Sequence, residues 1–247
     1  MKWKYLFLVS LFLISLAFCI LYFSYSIHIT FLSKEELFQH LKRNEDGYFN
    51  TFHENDFRVR NVSTIQEYYI EIQKCVSDPS KEIQEKIKSC IYLIHEELTA
   101  RQKYHGIDVH TFLAIPWKIG FTQGKGYENG FPHTRGNVIV LNTSITEMSE
   151  KSLCRLLIHE KVHVYQKLYP QEMSIYLATK QIVPIRKRDY SDKTIPANPD
   201  LDQHMYNGYG AFYDKTPTAF KDLRYLHDSS ASEHPLEEMA YQWEKVF

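Results

Sequence analysis

The chain has 247 residues, 44% of them hydrophobic and 24% charged, with 18 Tyr, 15 Phe and 12 His. So many large apolar side chains exclude a disordered chain, because they can bury enough surface to offset the entropy lost on folding. A formal net charge of −1 supplies no field for a polyanion, so nucleic acid is not an expected partner.

Residues 5–32 carry no Asp, Glu, Lys or Arg, and 6–23 are almost wholly apolar. A run of that length crosses a bilayer as a helix. Lys2 and Lys4 precede it, and Tyr22, Tyr25 and His28 suit the interfacial region at its far end. The run is long for a cleaved signal peptide and shows no small-x-small cleavage site, while bulky Phe18 before Cys19 argues against a lipoprotein anchor. We therefore expect residues 1–32 to be an uncleaved membrane anchor, with secretion as the outcome if the leader is removed. Lys2 and Lys4 favour a cytoplasmic N-terminus, although Lys34, Lys42 and Arg43 follow the span. The sequons Asn61-Val62-Ser63 and Asn142-Thr143-Ser144 would permit glycosylation of an extracytoplasmic or lumenal domain.

Residues 33–106 read as a helical N-terminal region. Residues 34–43 form a short amphipathic helix, and Ser63-Thr64 opens another that runs to Val76. Pro79 suits the first turn of the next helix, in which Ile83, Ile87, Ile91, Ile94 and Leu98 recur at helical spacing. His95-Glu96-Glu97 has no second His at ligand spacing and reads as a solvated face. Cys75 and Cys90 sit three and eleven residues from the turn at Asp78-Pro79, so a plain hairpin would not oppose them. They read as buried thiols, or as a disulfide of some other geometry.

Residues 107–247 change character. Residues 109–115, 117–122 and 137–142 are rich in β-formers, and Gly124, Gly126, Gly130 and Gly136 mark turns between them. The expected fold is α+β, mainly helical, with a small antiparallel sheet preceding a helix capped by Ser149 and ended by Pro170. Residues 171–181 suggest a further helix, 204–213 a hairpin, and Ser232 with Pro235 the start of a last helix.

The chemistry is carried by Leu156-Leu157-Ile158-His159-Glu160-Lys161-Val162-His163. Two His four apart on a helix share one face and can both reach one Zn²⁺. Glu160, beside the metal without ligating it, can take the proton of an activated water. The three apolar residues before His159 anchor the helix in a core.

A strand followed by a helix bearing HExxH resembles the zincin metallopeptidases. The metzincin pattern would need Gly at 166 and His at 169, where this chain has Gln166 and Tyr169. The gluzincin pattern places a ligand Glu on a later helix, and Glu237-Glu238-Met239-Ala240-Tyr241 looks like its second motif. By that resemblance His159, His163 and Glu237 hold zinc, with Glu233, His234 and Glu238 as alternatives to Glu237. Tyr241 stands where the family usually has Asp, which puts the hydrogen bond to a ligand His in doubt.

The resemblance implies a zinc-dependent peptidase acting on a peptide or protein substrate, in which residues 137–142 form a sheet edge that pairs with it. His204, Tyr206, Tyr209 and Tyr213 are candidates for stabilising the developing oxyanion. The segment from Glu128 to Arg135, with His133, could line the cleft or form a hairpin loop. A zinc hydrolase of another amide, and a non-catalytic membrane-anchored interaction domain, are the competing readings.

Overall fold

The computed structural model describes residues 27–189 and 191–247. The helix expected of the apolar leader falls on residues 1–26, outside the described residues. Among those described, no helix is long and apolar enough to cross a membrane. The last part of the expected anchor belongs instead to the globular fold. Ile29–Phe31 form strand β1, and Ile27, Ile29 and Phe31 pack against a buried core.

Helices α1 (Lys34–Arg43), α2 (Glu54–Val59) and α3 (Ile65–Cys75) follow. Each starts at a side-chain cap, from Ser33, His53 and Thr64, that accepts an otherwise unpaired backbone N–H. β2 (Val76–Ser77) leads to α4 (Lys81–Thr99), where Ser80 is the cap and Pro79 lies just outside the helix rather than in its first turn. β3 (Lys103–Tyr104) and β4 (Ile107–Asp108) pair before α5 (Val109–Ala114). The strand expected at 109–115 is thus a helix. Asp108 caps it, accepting from the Thr111 N–H at 2.7 Å, and Val109 and Phe112, three apart, share its buried face.

β5 (Trp117–Thr122), β6 (His133–Arg135) and β7 (Val138–Asn142) lead into the long helix α6 (Glu150–Leu168). Pro170 marks its end, as expected, and opens α7 (Pro170–Thr179). β8 (Pro184–Lys187), β9 (His204–Tyr206), β10 (Ala211–Tyr213), β11 (Leu223–Tyr225) and α8 (Pro235–Trp243) complete the chain. No hairpin forms over 204–213, because β9 pairs with β8 and β10 with β11.

The mixture of helix and sheet agrees with an α+β fold, but the sheet is mixed rather than antiparallel. Its order is β1-β5-β7-β6, with β2 also on β5. β1 and β7 run parallel to β5, while β6 and β2 run antiparallel to their neighbours. β7, expected at the edge, is internal, and β6 takes the edge. The physical reason is visible in the residues. All five of β7 are buried, as a strand covered on both faces requires.

Alternation along β7 sorts its side chains between two cores. Ile139 and Leu141 join α4, α5, α6 and α8 on one face, whereas Val138 and Val140 join α1 and α3 on the other. Helices therefore cover both faces of the sheet, and residues 33–106 share each core with residues 107–247. Gly120 allows α1 to lie close to β5. A Cβ there would sit 2.6 Å from a methyl of Leu37, too near for any larger residue.

Cys75, Cys90 and Cys154 are buried free thiols. Of the two sequons, Asn142 is buried and spent on structure. Its side chain accepts from Ser144 N–H at 3.1 Å and donates to the Gly124 carbonyl at 2.7 Å, which removes it as a glycosylation acceptor.

Candidate metal centre

α6 is buried without interruption from Leu157 to Gln166. Even Lys161, on the side of α6 away from His159 and His163, is enclosed. Its ammonium donates to the Ile115 carbonyl at 2.6 Å and lies 4.0 Å from the Trp117 ring, and burial drives its pKa down. His95 is not the solvated residue its sequence suggests. It accepts from the Trp117 indole N–H at 3.4 Å.

On the other face of α6, His159 and His163 bring their Nε2 atoms to 3.1 Å from each other. α8 packs alongside and delivers Glu237, whose Oε2 is 3.5 Å from His159 Nε2 and whose Oε1 is 3.4 Å from His163 Nε2. The α8 start is built for this. Pro235 occupies its first turn, His234 caps it by accepting from the Leu236 N–H, and Glu237 sits in the first turn where the helix dipole favours an anion.

His159, His163 and Glu237 form a buried group that could hold a metal ion. One donor atom from each residue lies within 4.8 Å of the others, so modest closure would bring them to a metal shell. Bonds of 2.0–2.1 Å in a tetrahedral shell place neighbouring donors about 3.3 Å apart. Beside the group, Glu160 Oε2 is buried with no hydrogen-bond partner among the described residues, which leaves it able to receive a bond from a water.

Outer contacts orient the imidazoles. His159 Nδ1 meets Glu244 Oε1 at 2.8 Å, and His163 Nδ1 meets Gln166 Oε1 at 2.8 Å. The Gln166 amide is itself fixed, since its Nε2 donates to the Leu236 carbonyl at 3.0 Å. With Nδ1 protonated toward these acceptors, both Nε2 atoms face Glu237, donating to it while the rings are charged and free to turn a lone pair to a metal once they are neutral. Tyr241 packs its ring edge-on to His159 and shares a hydrogen bond with Ser230 rather than with the imidazole.

Charges in the group oppose one another strongly. Burial alone would raise the Glu237 pKa, but the His163 charge and hydrogen bonds from both imidazoles hold it far below the usual carboxylate range. Burial would likewise lower His159, and the Glu237 and Glu244 carboxylates reverse it. Burial and the nearby Asp200 carboxylate push Glu160 up, against the pull of the two His.

No family model, curated protein or solved structure matches the chain.

The group opens into a cleft of about 550 Å³. Of the alternative ligands, His234 is occupied by its cap and by Asp202 at 3.2 Å, and Glu238 accepts from the Tyr209 hydroxyl. Glu233 lines the cleft beside Glu237 without joining the three donors. The tyrosines singled out in the sequence are engaged elsewhere. Tyr206 donates to Asp202 at 2.7 Å, Tyr209 to Glu238, and Tyr213, though on the cleft wall, to Asp56 at 3.0 Å. His204 sits 3.7 Å from Asp202. Tyr225 and Tyr241 line the cleft instead. Helical spacing beyond Glu237 offers a signal for Tyr241 and Glu244, but none distinguishes Tyr225.

The segment from Glu128 to Arg135 lines the cleft and also joins it to the N-terminal helices. Buried Glu128 pairs with Arg60 at 2.6 Å and accepts from Tyr68, while buried Arg135 pairs with Asp46 at 2.6 Å and donates to Tyr127. Asp56, on α2, accepts from the Ala197 N–H at 3.0 Å, fixing the loop that carries Asn198 and Asp200. Asp200 in turn accepts from the Thr134 N–H at 2.8 Å, and Lys167 donates to the Thr134 carbonyl at 2.9 Å. The backbone of β6 at Thr134 is therefore already paired, and the sheet edge is not free there for a substrate strand.

Proposed function

We propose that the chain is a zinc-dependent peptidase of the gluzincin-like zincin type, with His159, His163 and Glu237 as ligands and Glu160 as general base. The observation that carries this reading is the convergence of two imidazole nitrogens and one carboxylate within 3.5 Å, beside the orphan oxygen of Glu160. A set of two nitrogens and one oxygen that leaves a fourth position open suits catalytic zinc. When bound, zinc would polarise the scissile carbonyl and acidify a water there.

The remaining work falls to the chain. Glu160, kept dry and raised in pKa, takes a proton from the attacking water and returns it to the leaving amine. Tyr225, whose hydroxyl has no hydrogen-bond partner among the described residues, donates to the carbonyl oxygen as negative charge develops on it. The Phe131 and Phe220 rings, 5.9 Å apart, form an apolar lip that helps exclude water. Because β6 is covered at Thr134, side chains of the cleft rather than main-chain pairing hold the peptide. The apolar leader supplies a membrane anchor in this reading, with the catalytic part outside the cytosol.

Metal analysis of the purified chain should find about one zinc per molecule, lost in His163→Ala. Glu160→Gln should keep the metal and lose at least about 10²–10⁴-fold in peptide turnover. A folded chain that refuses zinc, or a Glu160→Gln variant of unchanged activity, would end the proposal.

A further inference from the structure

Six carboxylates line the cleft, and five have a task. Glu128 pairs with Arg60 and Asp200 with Lys167. Glu237 and Glu244 contact the His pair, and Glu160 is the proposed base. Glu233 is left over. It is 7% exposed, yet among the described residues no cation lies within ion-pair distance of it. Arg188 acts on it only from farther away, being bonded to the Pro196 carbonyl. A carboxylate so far removed from water ordinarily has a charged partner.

Its surroundings are built rather than incidental. Asn198 Nδ2 donates to Glu233 Oε1 at 3.1 Å. The amide cannot present its other end, because Asn198 Oδ1 accepts from the Asp200 N–H at 2.9 Å. The loop is pinned in turn by Asp56 through Ala197. Glu233 thus stands at a fixed place on the cleft wall, in the turn just ahead of α8 and four residues before Glu237, with a carboxylate oxygen for which no protein partner is present among the described residues.

We propose that Glu233, oriented by Asn198, is the subsite that receives a protonated amine of the substrate, either its α-ammonium group or a lysine side chain. An ammonium donates up to three hydrogen bonds, and in this enclosed site its charge completes that of Glu233. Burial and the Glu237 carboxylate raise the Glu233 pKa to about 7, and a bound cation would reverse that. The inference rests on the peptidase reading, since it names what that peptidase holds.

The test is a binding measurement, which does not depend on turnover. The zinc-loaded full chain carrying Glu160→Gln is titrated calorimetrically with three peptides of one length. The first is acetylated with a central norleucine, the second acetylated with a central lysine, and the third carries norleucine and a free amino terminus. One cationic peptide should bind on the order of tenfold to a hundredfold more tightly than the neutral one, the range of a charged hydrogen bond. Which one does so identifies the source of the amine. Adding Glu233→Gln should bring the ratio near one, and Asn198→Ala, a second route should that variant not fold, should shrink it. Three peptides that bind alike or not at all, or a preference that survives Glu233→Gln, would overturn the subsite. Hydrolysis of the same peptides by the unmodified chain reads the peptidase proposal separately.

Discussion

Glu244 Oε1 lies 2.8 Å from His159 Nδ1, about two helical turns beyond Glu237. It gives the imidazole a carboxylate contact that the neighbouring Tyr241, packed edge-on to the same ring, cannot supply. A carboxylate on Nδ1 fixes the tautomer and increases the basicity of Nε2.

Glu244→Ala should therefore weaken zinc binding by about 10- to 100-fold, read by competition with a chelator of known affinity. Tyr241→Phe, which keeps the ring against His159, should weaken it less. Equal losses would show that the carboxylate has no special part.

Tyr225→Phe removes one hydroxyl from the cleft wall. If that hydroxyl donates to the oxyanion, kcat should fall by about 10²–10³, with KM and zinc content close to those of the unmodified chain. A variant that changes KM alone would place Tyr225 in ground-state binding instead.

Glu128→Gln should destabilise the fold by up to about 3–5 kcal/mol, because it removes the nearer of the two carboxylates paired with buried Arg60 and leaves only Asp56, at 3.5 Å. Urea unfolding of the metal-free chain measures this. The loss should exceed that of an exposed pair such as Lys88–Glu85, for which about 0–1 kcal/mol is typical.

Acid should destabilise the fold in two steps. Burial, aided by Lys161, lowers the His95 pKa from 6.5 to about 4. As pH falls from 6.5 to 4, the unfolded chain takes a proton that folded His95 refuses, so stability drops across that window. Asp46 acts lower down. Burial raises it, but Arg135 outweighs burial and brings it from 3.8 to about 2. Its stabilisation is complete above 3.8 and is lost on the way to 2. His95→Gln should flatten the upper window and Asp46→Asn the lower, in stability measured against pH. An unchanged slope in either variant would refute the corresponding assignment.

The parts legible in the sequence are those set by local spacing. His159, Glu160 and His163 occupy one helical turn, and the Ser149 cap and the apolar stripe before them mark that helix without reference to anything distant. Glu237 is reached only through the resemblance of residues 237–241 to a second motif, with Glu233, His234 and Glu238 left open beside it. What escaped depends on long-range contacts. The edge position expected of β7 comes from the resemblance, whereas its unbroken apolar run over 138–141 suits a covered strand; that β6 folds back beside it is a long-range pairing. Residues 109–115 carry β-branched and aromatic side chains, and a single Asp108 cap overrides them. Asn198 and Asp200 lie in a Pro-rich loop whose place is fixed by Asp56, far back in the chain. Tyr225 has no periodicity to announce it.

The parallel strand at the start of the fold has a mechanical consequence. The His28 carbonyl accepts from the Trp117 N–H at 2.8 Å, so the chain is clamped to the sheet before β1 begins. β1 then pairs with β5 through Ile29, Thr30 and Phe31, and Ile29 and Phe31 pack against the larger core. Strain applied at the first described residues would therefore be felt at once by β5, the strand that carries Trp117 and the Lys161 contact.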